Sequence, residues 1–177
     1  MVFPTRTTRF HTFLFALNEK LLANNLPIII PIYKTVIPSL ENWWLAGITD
    51  GEGCFSCFIL IARNTYRLRY ILSQKHDLNK PVFDYIVKLL SDKGCSGAVV
   101  PHSVENTWEI RVNGVKNCKM LHEYFDTFNL KTTKYRSYIK WKEITKRLEK
   151  GDHLNKDLVK QLHETSKNIN SKIKLTS

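Results

Sequence analysis

The chain has 177 residues, of which 43% are hydrophobic and 11% aromatic, a composition that excludes a disordered chain and fits one domain with a sizeable core. It carries 27 Lys and Arg against 16 Asp and Glu, a net charge of +11. A folded domain this basic is typical of proteins that bind a polyanion, with nucleic acid the leading candidate, and a merely solvated lysine-rich surface is the alternative. No apolar run is long enough to span a membrane, since the densest, 26–33, is short and is broken by Pro27 and Pro31.

Residues 1–40 are interpreted as an N-terminal extension, because they hold four of the six prolines and show no sustained hydrophobic period. Residues 1–18 contain basic side chains but no acid, which fits either an import presequence or a poorly ordered extension. Residues 41–150 are predicted as the folded domain, and residues 151–177 as a C-terminal helical tail.

The first elements of this domain are a helix and a strand hairpin. The stretch "ENWWLAGITDG" predicts a helix with its N-cap near Ser39, and Cys54–Arg63 reads as a strand of aromatic and branched residues. Asn64 and Thr65 suit the turn before a second strand, Tyr66–Lys75, which alternates strictly. One face of that strand is predicted to carry Tyr66, Leu68, Tyr70 and Leu72, and the other Arg67, Arg69, Ile71 and Ser73.

The rest of the domain repeats the order. Asn79–Gly94 predicts a helix that ends at its glycine, and two further strands follow at 97–103 and 106–114. Helices are then predicted at 115–128, 132–151 and 155–169. The sequence therefore predicts an α+β fold in which helices cover one face of a sheet.

The cysteines favour no metal or redox site. Cys54 and Cys57 have C-x-x-C spacing, but no second pair of ligands follows at the distance typical of zinc fingers. Residues three apart in a strand point to opposite faces. Buried free thiols are the better interpretation for all the cysteines, which are Cys54, Cys57, Cys95 and Cys118.

The glycines of "LAGITDGEGCF" (Leu45–Phe55) need an explanation, because glycine inside a helix costs about 1 kcal/mol relative to alanine. Ala46, Gly47 and Gly51 leave one side of the helix almost without side chains, which would allow close packing against the same helix of a second chain across a twofold axis. Asp50 and Glu52 would then approach their copies, and hard divalent cations such as Mg²⁺ suit clustered carboxylates. The alternative is a Gly-rich helix end with solvated acids.

The nine residues "LAGITDGEG" (Leu45–Gly53), preceded by "WW", resemble the LAGLIDADG motif of homing endonucleases. The resemblance extends over about residues 41–150, with further matching stretches at 71–83, 102–112 and 124–144. It implies an αββαββα fold with a mixed or antiparallel sheet, helices on one face and an open face for DNA. The single motif implies a homodimer, although the chain also resembles the second half of a two-motif protein.

The resemblance also implies a metal site. Glu52 matches the acid that binds the catalytic metal, magnesium or another divalent cation such as manganese, and the Gly51 carbonyl is a second ligand. Asp50 matches the other motif acid and is expected to support the helix end and, together with Ala46, Gly47 and Gly51, the dimer interface.

Further catalytic roles follow from the resemblance. Gln74 matches a water-organising residue, and Lys131 matches a basic residue near the scissile phosphates, with Lys134 as the alternative. The family often has a basic residue where this chain has Leu78, so Lys75 or Lys80 is expected to compensate.

The open face of the sheet is expected to lie in the major groove of DNA. The residues predicted to contact DNA there are Ser56, Arg67, Arg69, Ser73, Glu109 and Arg111. Phe58 and Leu60 fall on the same face, so a first strand buried on both sides is the alternative.

Together these features predict a site-specific, metal-dependent endonuclease that cuts both strands of its DNA target. The alternative is an RNA-binding maturase, or a structural RNA-binding protein, that binds its host intron RNA with the same basic surface. The resemblance implies an organellar intron-encoded protein, with the mitochondrion favoured over the chloroplast.

Overall fold

The computed structural model describes residues 4–31 and 36–171, with side chains from Thr7 onward. The helices are α1 (Pro4–Ala23), α2 (Trp44–Glu52), α3 (Lys80–Asp92), α4 (Gly114–Thr127), α5 (Lys134–Glu149) and α6 (Lys156–Lys167). The strands are β1 (Gly53–Leu60), β2 (Thr65–Lys75), β3 (Gly97–Pro101) and β4 (Thr107–Asn113). From α2 to α4 the order is the predicted helix-strand-strand-helix-strand-strand-helix, and α5 and α6 follow it.

The strands form one antiparallel sheet in the order β1–β2–β4–β3. Leu72 of β2 lies between Gly53 of β1 and Ile110 of β4, which fixes the register across the sheet. The predicted alternation of β2 is confirmed, because its even-numbered residues from Leu68 to Gln74 are buried and the odd-numbered ones face the other way.

An aromatic cluster fixes the helices on one face of the sheet. The ring of Phe55 in β1 has its centroid 5.1 Å from that of Trp141, 5.5 Å from that of Phe125 and 5.6 Å from those of Tyr70 and Tyr138. All five side chains are 0% exposed. Because Phe125 belongs to α4 and Tyr138 and Trp141 to α5, this cluster attaches both helices to the same side of β1 and β2.

Helix α2 is held by hydrogen bonds from buried side chains. The Tyr124 hydroxyl accepts the Ala46 N–H at 2.9 Å and donates to the Asn42 carbonyl at 2.7 Å. The Thr49 hydroxyl donates to the Leu45 carbonyl at 2.6 Å and lies 2.7 Å from the Tyr70 hydroxyl. Helix α2 is therefore fixed to the sheet through Tyr70 and to α4 through Tyr124.

The predicted N-cap at Ser39 is wrong. The Ser39 hydroxyl accepts the Glu41 N–H at 3.0 Å in a local turn, and the Asn42 side chain accepts the Trp44 N–H at 2.9 Å. These two turns delay the helix, which begins at Trp44.

The first hairpin also differs from the prediction, because β1 ends at Leu60 rather than at Arg63. Ile61–Arg63 form a 3₁₀ turn and Asn64 has a φ of 49°, a left-handed conformation that asparagine tolerates. Thr65 already belongs to β2 and pairs with Leu60.

Helix α1 was not predicted, and its side chains show why. Leu14 is 7% exposed, whereas Phe10, Phe13 and Phe15 are 49%, 67% and 67% exposed. Large apolar side chains that are not gathered on one buried stripe produce no hydrophobic period. In the described residues, α1 included, no helix combines the length and apolar character needed to cross a bilayer.

The predicted C-terminal helix is present as α6 and joins the same core. Val159, Leu162 and the following Ile169 are buried, and the Asn170 amide donates to the Phe55 carbonyl at 2.9 Å. The Asn155 side chain caps the helix by accepting the Asp157 and Leu158 N–H groups. This part of the tail therefore covers β1 rather than extending away from the domain.

The prediction of buried free thiols is confirmed for Cys95 and Cys118, whereas Cys54 and Cys57 are free thiols that are only partly buried. Cys54 and Cys57 lie on opposite faces of β1. Burial raises the pKa of Cys57 to about 12, so this thiol is protonated and unreactive at neutral pH.

Candidate nucleic-acid interface and metal site

The end of α2 leads directly into β1 at Gly53. A Cβ at Gly53 would lie 2.6 Å from Thr49 Cγ2 and 2.8 Å from the Thr49 carbonyl oxygen, so only glycine fits. The chain therefore passes from helix to strand without a loop. This direct passage places Gly51 and Glu52 where the motif helix meets the sheet.

Gly47 and Gly51 are explained differently. A Cβ at either position would meet no atom of the described chain within 4 Å, and both glycines are exposed. The packing of this chain therefore does not require them. They leave one side of α2 without side chains, which we call the glycine strip. Ala46, which we expected on the same side, is 1% exposed and belongs to the core, because its backbone is held against Tyr124.

Asp50 supports the end of α2 by accepting hydrogen bonds from the segment before α5. One carboxylate oxygen accepts the Lys131 N–H at 2.7 Å, and the other accepts the Thr132 N–H at 3.2 Å and the Thr132 hydroxyl at 2.6 Å. Both oxygens are therefore occupied by protein donors. Thr132 was missed in the sequence, although a threonine just before a helix is a usual capping signal.

Lys131, predicted to lie near the scissile phosphates, and its alternative Lys134 make different contacts in the structure. The Lys134 ammonium donates to the Gly51 carbonyl at 3.3 Å and, in a short bond, to the Gly53 carbonyl. The Lys131 ammonium instead lies 4.4 Å from the centre of the Trp43 ring. Carbonyls at the C-terminal end of a helix carry partial negative charge, and Lys134 is the cation that reaches them.

Gln74 lies near the same junction but on the helix-covered side. It follows Leu72, the partner of Gly53, by two residues on the same face of β2 and is 8% exposed. Leu78 is 67% exposed in the turn after β2. Of the residues expected to compensate for it, Lys80 already pairs with Asp84 at 2.8 Å, and Lys75 is exposed at the end of β2.

One copy of the chain offers part of a metal site. Among the described residues there is no group of three or more His, Cys, Asp and Glu that could hold a metal ion. The Glu52 carboxylate and the Gly51 carbonyl are nevertheless adjacent oxygen donors of the kind that Mg²⁺ prefers. The Gly51 carbonyl already accepts a cationic group, Lys134. These donors suit a hard divalent cation, but two of them alone do not complete its coordination.

The open face of the sheet carries every residue predicted to lie there. Cross-strand neighbours on this face include Ser56 with Arg69 and Ser73 with Glu109. Phe58, which pairs with Arg67, is 59% exposed, so the alternative of a first strand buried on both sides is wrong. Glu109 is the exception to exposure on this face, since only 4% of its surface is accessible.

Positive charge dominates this open face. Burial lowers the pKa of Arg69, the charges of Arg67 and Arg111 lower it further, and Glu109 opposes them. The Nε atom of Arg69 is buried and has no hydrogen-bond partner. A surface with several guanidinium groups suits a ligand rich in acceptors, such as phosphates and base edges.

Two comparisons with solved structures support the fold. The homing endonuclease I-TnaI superposes with a TM-score of 0.66 at 22% identity, over 78% of this chain and 92% of that one. The LAGLIDADG homing endonuclease I-LtrWI, solved bound to its target DNA, gives a TM-score of 0.67 at 22% identity over 82% of this chain and 49% of that one.

Two sequence relatives are fungal. A probable intron-encoded endonuclease 4 of Neurospora crassa is 32% identical over 94% of this chain, and an uncharacterized cox1 intron-2 protein of Schizosaccharomyces pombe is 28% identical over 75% of it. The matches cover only 29% and 40% of those relatives. The sequence model of the LAGLIDADG endonucleases matches residues 45–145, the same segment that holds the glycine strip, the α2–β1 junction and the arginine-lined sheet. The chain therefore belongs to the LAGLIDADG endonuclease family.

Proposed function

We propose that this chain is a subunit of a site-specific endonuclease that hydrolyses both strands of a DNA target with a divalent metal, magnesium or manganese. The observation that carries the proposal is the position of the α2–β1 junction. Its oxygen donors, Glu52 and the Gly51 carbonyl, stand at one end of a sheet whose uncovered face is lined by arginines.

Each residue at the junction has a role in this proposal. Glu52 and the Gly51 carbonyl would hold the metal, which would supply an activated water and stabilise the leaving oxygen. The Lys134 ammonium, already at this end of α2, supplies positive charge for the phosphate in the transition state. Gln74 orients the attacking water, and Asp50 keeps Lys131 and Thr132 against the helix end.

The relatives support DNA as the substrate and the mitochondrion as the location. I-LtrWI and I-GzeII were solved with their DNA targets. The relatives from Schizosaccharomyces pombe and Podospora anserina are named for introns of cox1 and ND4, which are genes of mitochondrial genomes.

The glycine strip on α2, formed by Gly47 and Gly51, supports a homodimer. In this proposal Gly47 and Gly51 pack against the same helix of a second copy, and each copy cuts one strand. A Gly47→Leu variant should stay folded, because outside the local backbone of α2 no atom of the described residues lies within 4 Å of the added Cβ, but it should sediment as a monomer where the wild type is a dimer. Lys88→Leu on the exposed side of α3 is the control for added apolar surface. A dimeric Gly47→Leu protein, or a wild type that binds its target as a monomer, would reject this arrangement.

A cleavage selection tests the activity. The purified chain is incubated with a library of DNA duplexes in Mg²⁺, Mn²⁺ or EDTA, and duplexes cut on both strands are sequenced. The proposal predicts a single enriched site that appears only with metal. Binding to structured intron RNA with no DNA cut under any condition would favour the maturase alternative.

A further inference from the structure

Glu109 is a buried carboxylate on a surface that otherwise faces solvent. It lies in the middle of β4, beside Ser73 of β2 on one side and Val100 of β3 on the other. A buried carboxylate is costly unless hydrogen bonds and opposite charge compensate it. Its side chain is only 5% exposed, so the partners of this carboxylate define its role.

Both oxygens of Glu109 are occupied. One accepts the Nε–H of Arg111 in a short bond. The other accepts the Ser73 hydroxyl at 3.4 Å and lies 3.9 Å from His102 Nε2. A glutamate that reads a base directly would expose an oxygen to the cytosine amine, and the side chain of Glu109 is only 5% exposed.

The ring of His102 is oriented toward Glu109. Its Nδ1 atom accepts the Val104 N–H at 2.9 Å, so the proton of the neutral ring is on Nε2. That nitrogen is the one nearest to Glu109. The backbone also fixes His102, because its N–H donates to the Thr107 carbonyl at 2.9 Å. The carboxylate is therefore held from β2, from β4 and from the end of β3.

Arg111 keeps its terminal nitrogens available. The bond to Glu109 uses Nε, and in the described part of the chain no hydrogen bond engages the two terminal nitrogens. Its cross-strand neighbours are Ile71 and Ala98, which compete for none of its donors. The fork of two N–H groups that remains has the geometry that binds O6 and N7 of guanine in the major groove.

We propose that Glu109 is a positioning residue that, with Ser73 and His102, holds Arg111 for the recognition of one guanine in each half of the DNA target. This inference rests on the proposed DNA-binding function and adds a specificity determinant to it. Glu109 then acts through Arg111 rather than by touching a base.

The test is a binding selection with the full chain on randomised DNA duplexes in EDTA, so that cleavage does not distort the result. The wild type should prefer guanine about tenfold at one position of each half-site. Arg111→Lys should reduce that preference to about twofold because lysine lacks the fork. Glu109→Gln should weaken the preference at the same position and leave the other positions unchanged.

Arg67→Ala is the matched control, because Arg67 lies on the same face in β2, where its cross-strand neighbour is Phe58. It should lower affinity without changing the guanine preference at the Arg111 position. A thermal melt checks that Glu109→Gln folds. If that variant does not fold, Arg111→Lys tests the inference, because it keeps Glu109 and a positively charged partner. A guanine preference that survives in folded Glu109→Gln or in Arg111→Lys, or its absence from the wild type's selected site, overturns the inference alone. A wild type that selects no DNA sequence overturns it together with the proposed function.

Discussion

The two faces of the sheet differ although the same strands build both. On the helix-covered face, Phe55, Tyr70, Leu72 and Ile110 are 0% exposed and pack into one core. On the open face, the same strands present arginines around Glu109, and even an apolar residue such as Phe58 is 59% exposed. Alternation along a strand thus separates stability from recognition. Substitutions on one face should change folding, and substitutions on the other should change binding.

The largest effect on stability is expected from a matched pair of phenylalanines in β1. Phe55→Ala should lower the free energy of unfolding by about 3–5 kcal/mol, because it leaves a cavity in the aromatic cluster. Phe58→Ala, three residues away on the open face, should change it by no more than about 0.5 kcal/mol. Urea unfolding of both variants measures the difference, and comparable losses would mean that the open face also carries packing energy.

The next largest effect is expected on the rate of DNA cleavage, and it should distinguish Lys134, at the start of α5, from Lys131, which precedes that helix. Lys134→Met should slow DNA cleavage about 100-fold, because it removes a positive charge from the end of α2. Lys131→Met should slow it only a fewfold, since that ammonium lies on Trp43. Single-turnover cleavage of one target by both variants is the measurement. A larger loss in Lys131→Met would show that the complex with DNA uses the other lysine.

The smallest expected effect is a dependence of the free energy of unfolding on pH, which arises from His122 on the helix-covered side of the sheet. Burial, followed by the charge of Lys142, lowers the pKa of His122 from 6.5 to about 4. Because the unfolded chain binds this proton at higher pH than the folded one, stability falls as the pH drops below 6.5. The loss from His122 should be about 1.5 kcal/mol between pH 6.5 and pH 5.

The matched variant for this prediction is His122→Gln, which cannot take up the proton. Its free energy of unfolding should decline less than that of the wild type over the same pH interval, in urea titrations at pH 6.5 and pH 5. Parallel declines in the two proteins would mean that His122 is protonated in the fold.

Some parts of the structure follow from local sequence and others do not. The alternation of β2 and the stop at Gly94 depend on neighbouring residues, and both were predicted from them. The burial of Ala46 depends on a hydrogen bond from its N–H to the hydroxyl of Tyr124, which is 78 residues away in sequence, and no local period reports it. The choice between Lys131 and Lys134 depends on where each long side chain finds a partner, on an aromatic ring or on the carbonyls of α2. Helix α1 lacks a single buried stripe, so periodicity could not reveal it.

The proposed function requires that the α2–β1 junction cut the DNA that the open face binds. The most direct test measures binding and cleavage of the selected target by the wild type and by Glu52→Gln, which removes the charged metal ligand and keeps the side-chain shape. We predict an unchanged dissociation constant and cleavage reduced at least about 1000-fold. Metal-dependent cleavage that survives in Glu52→Gln would contradict the claim and place the catalytic site elsewhere.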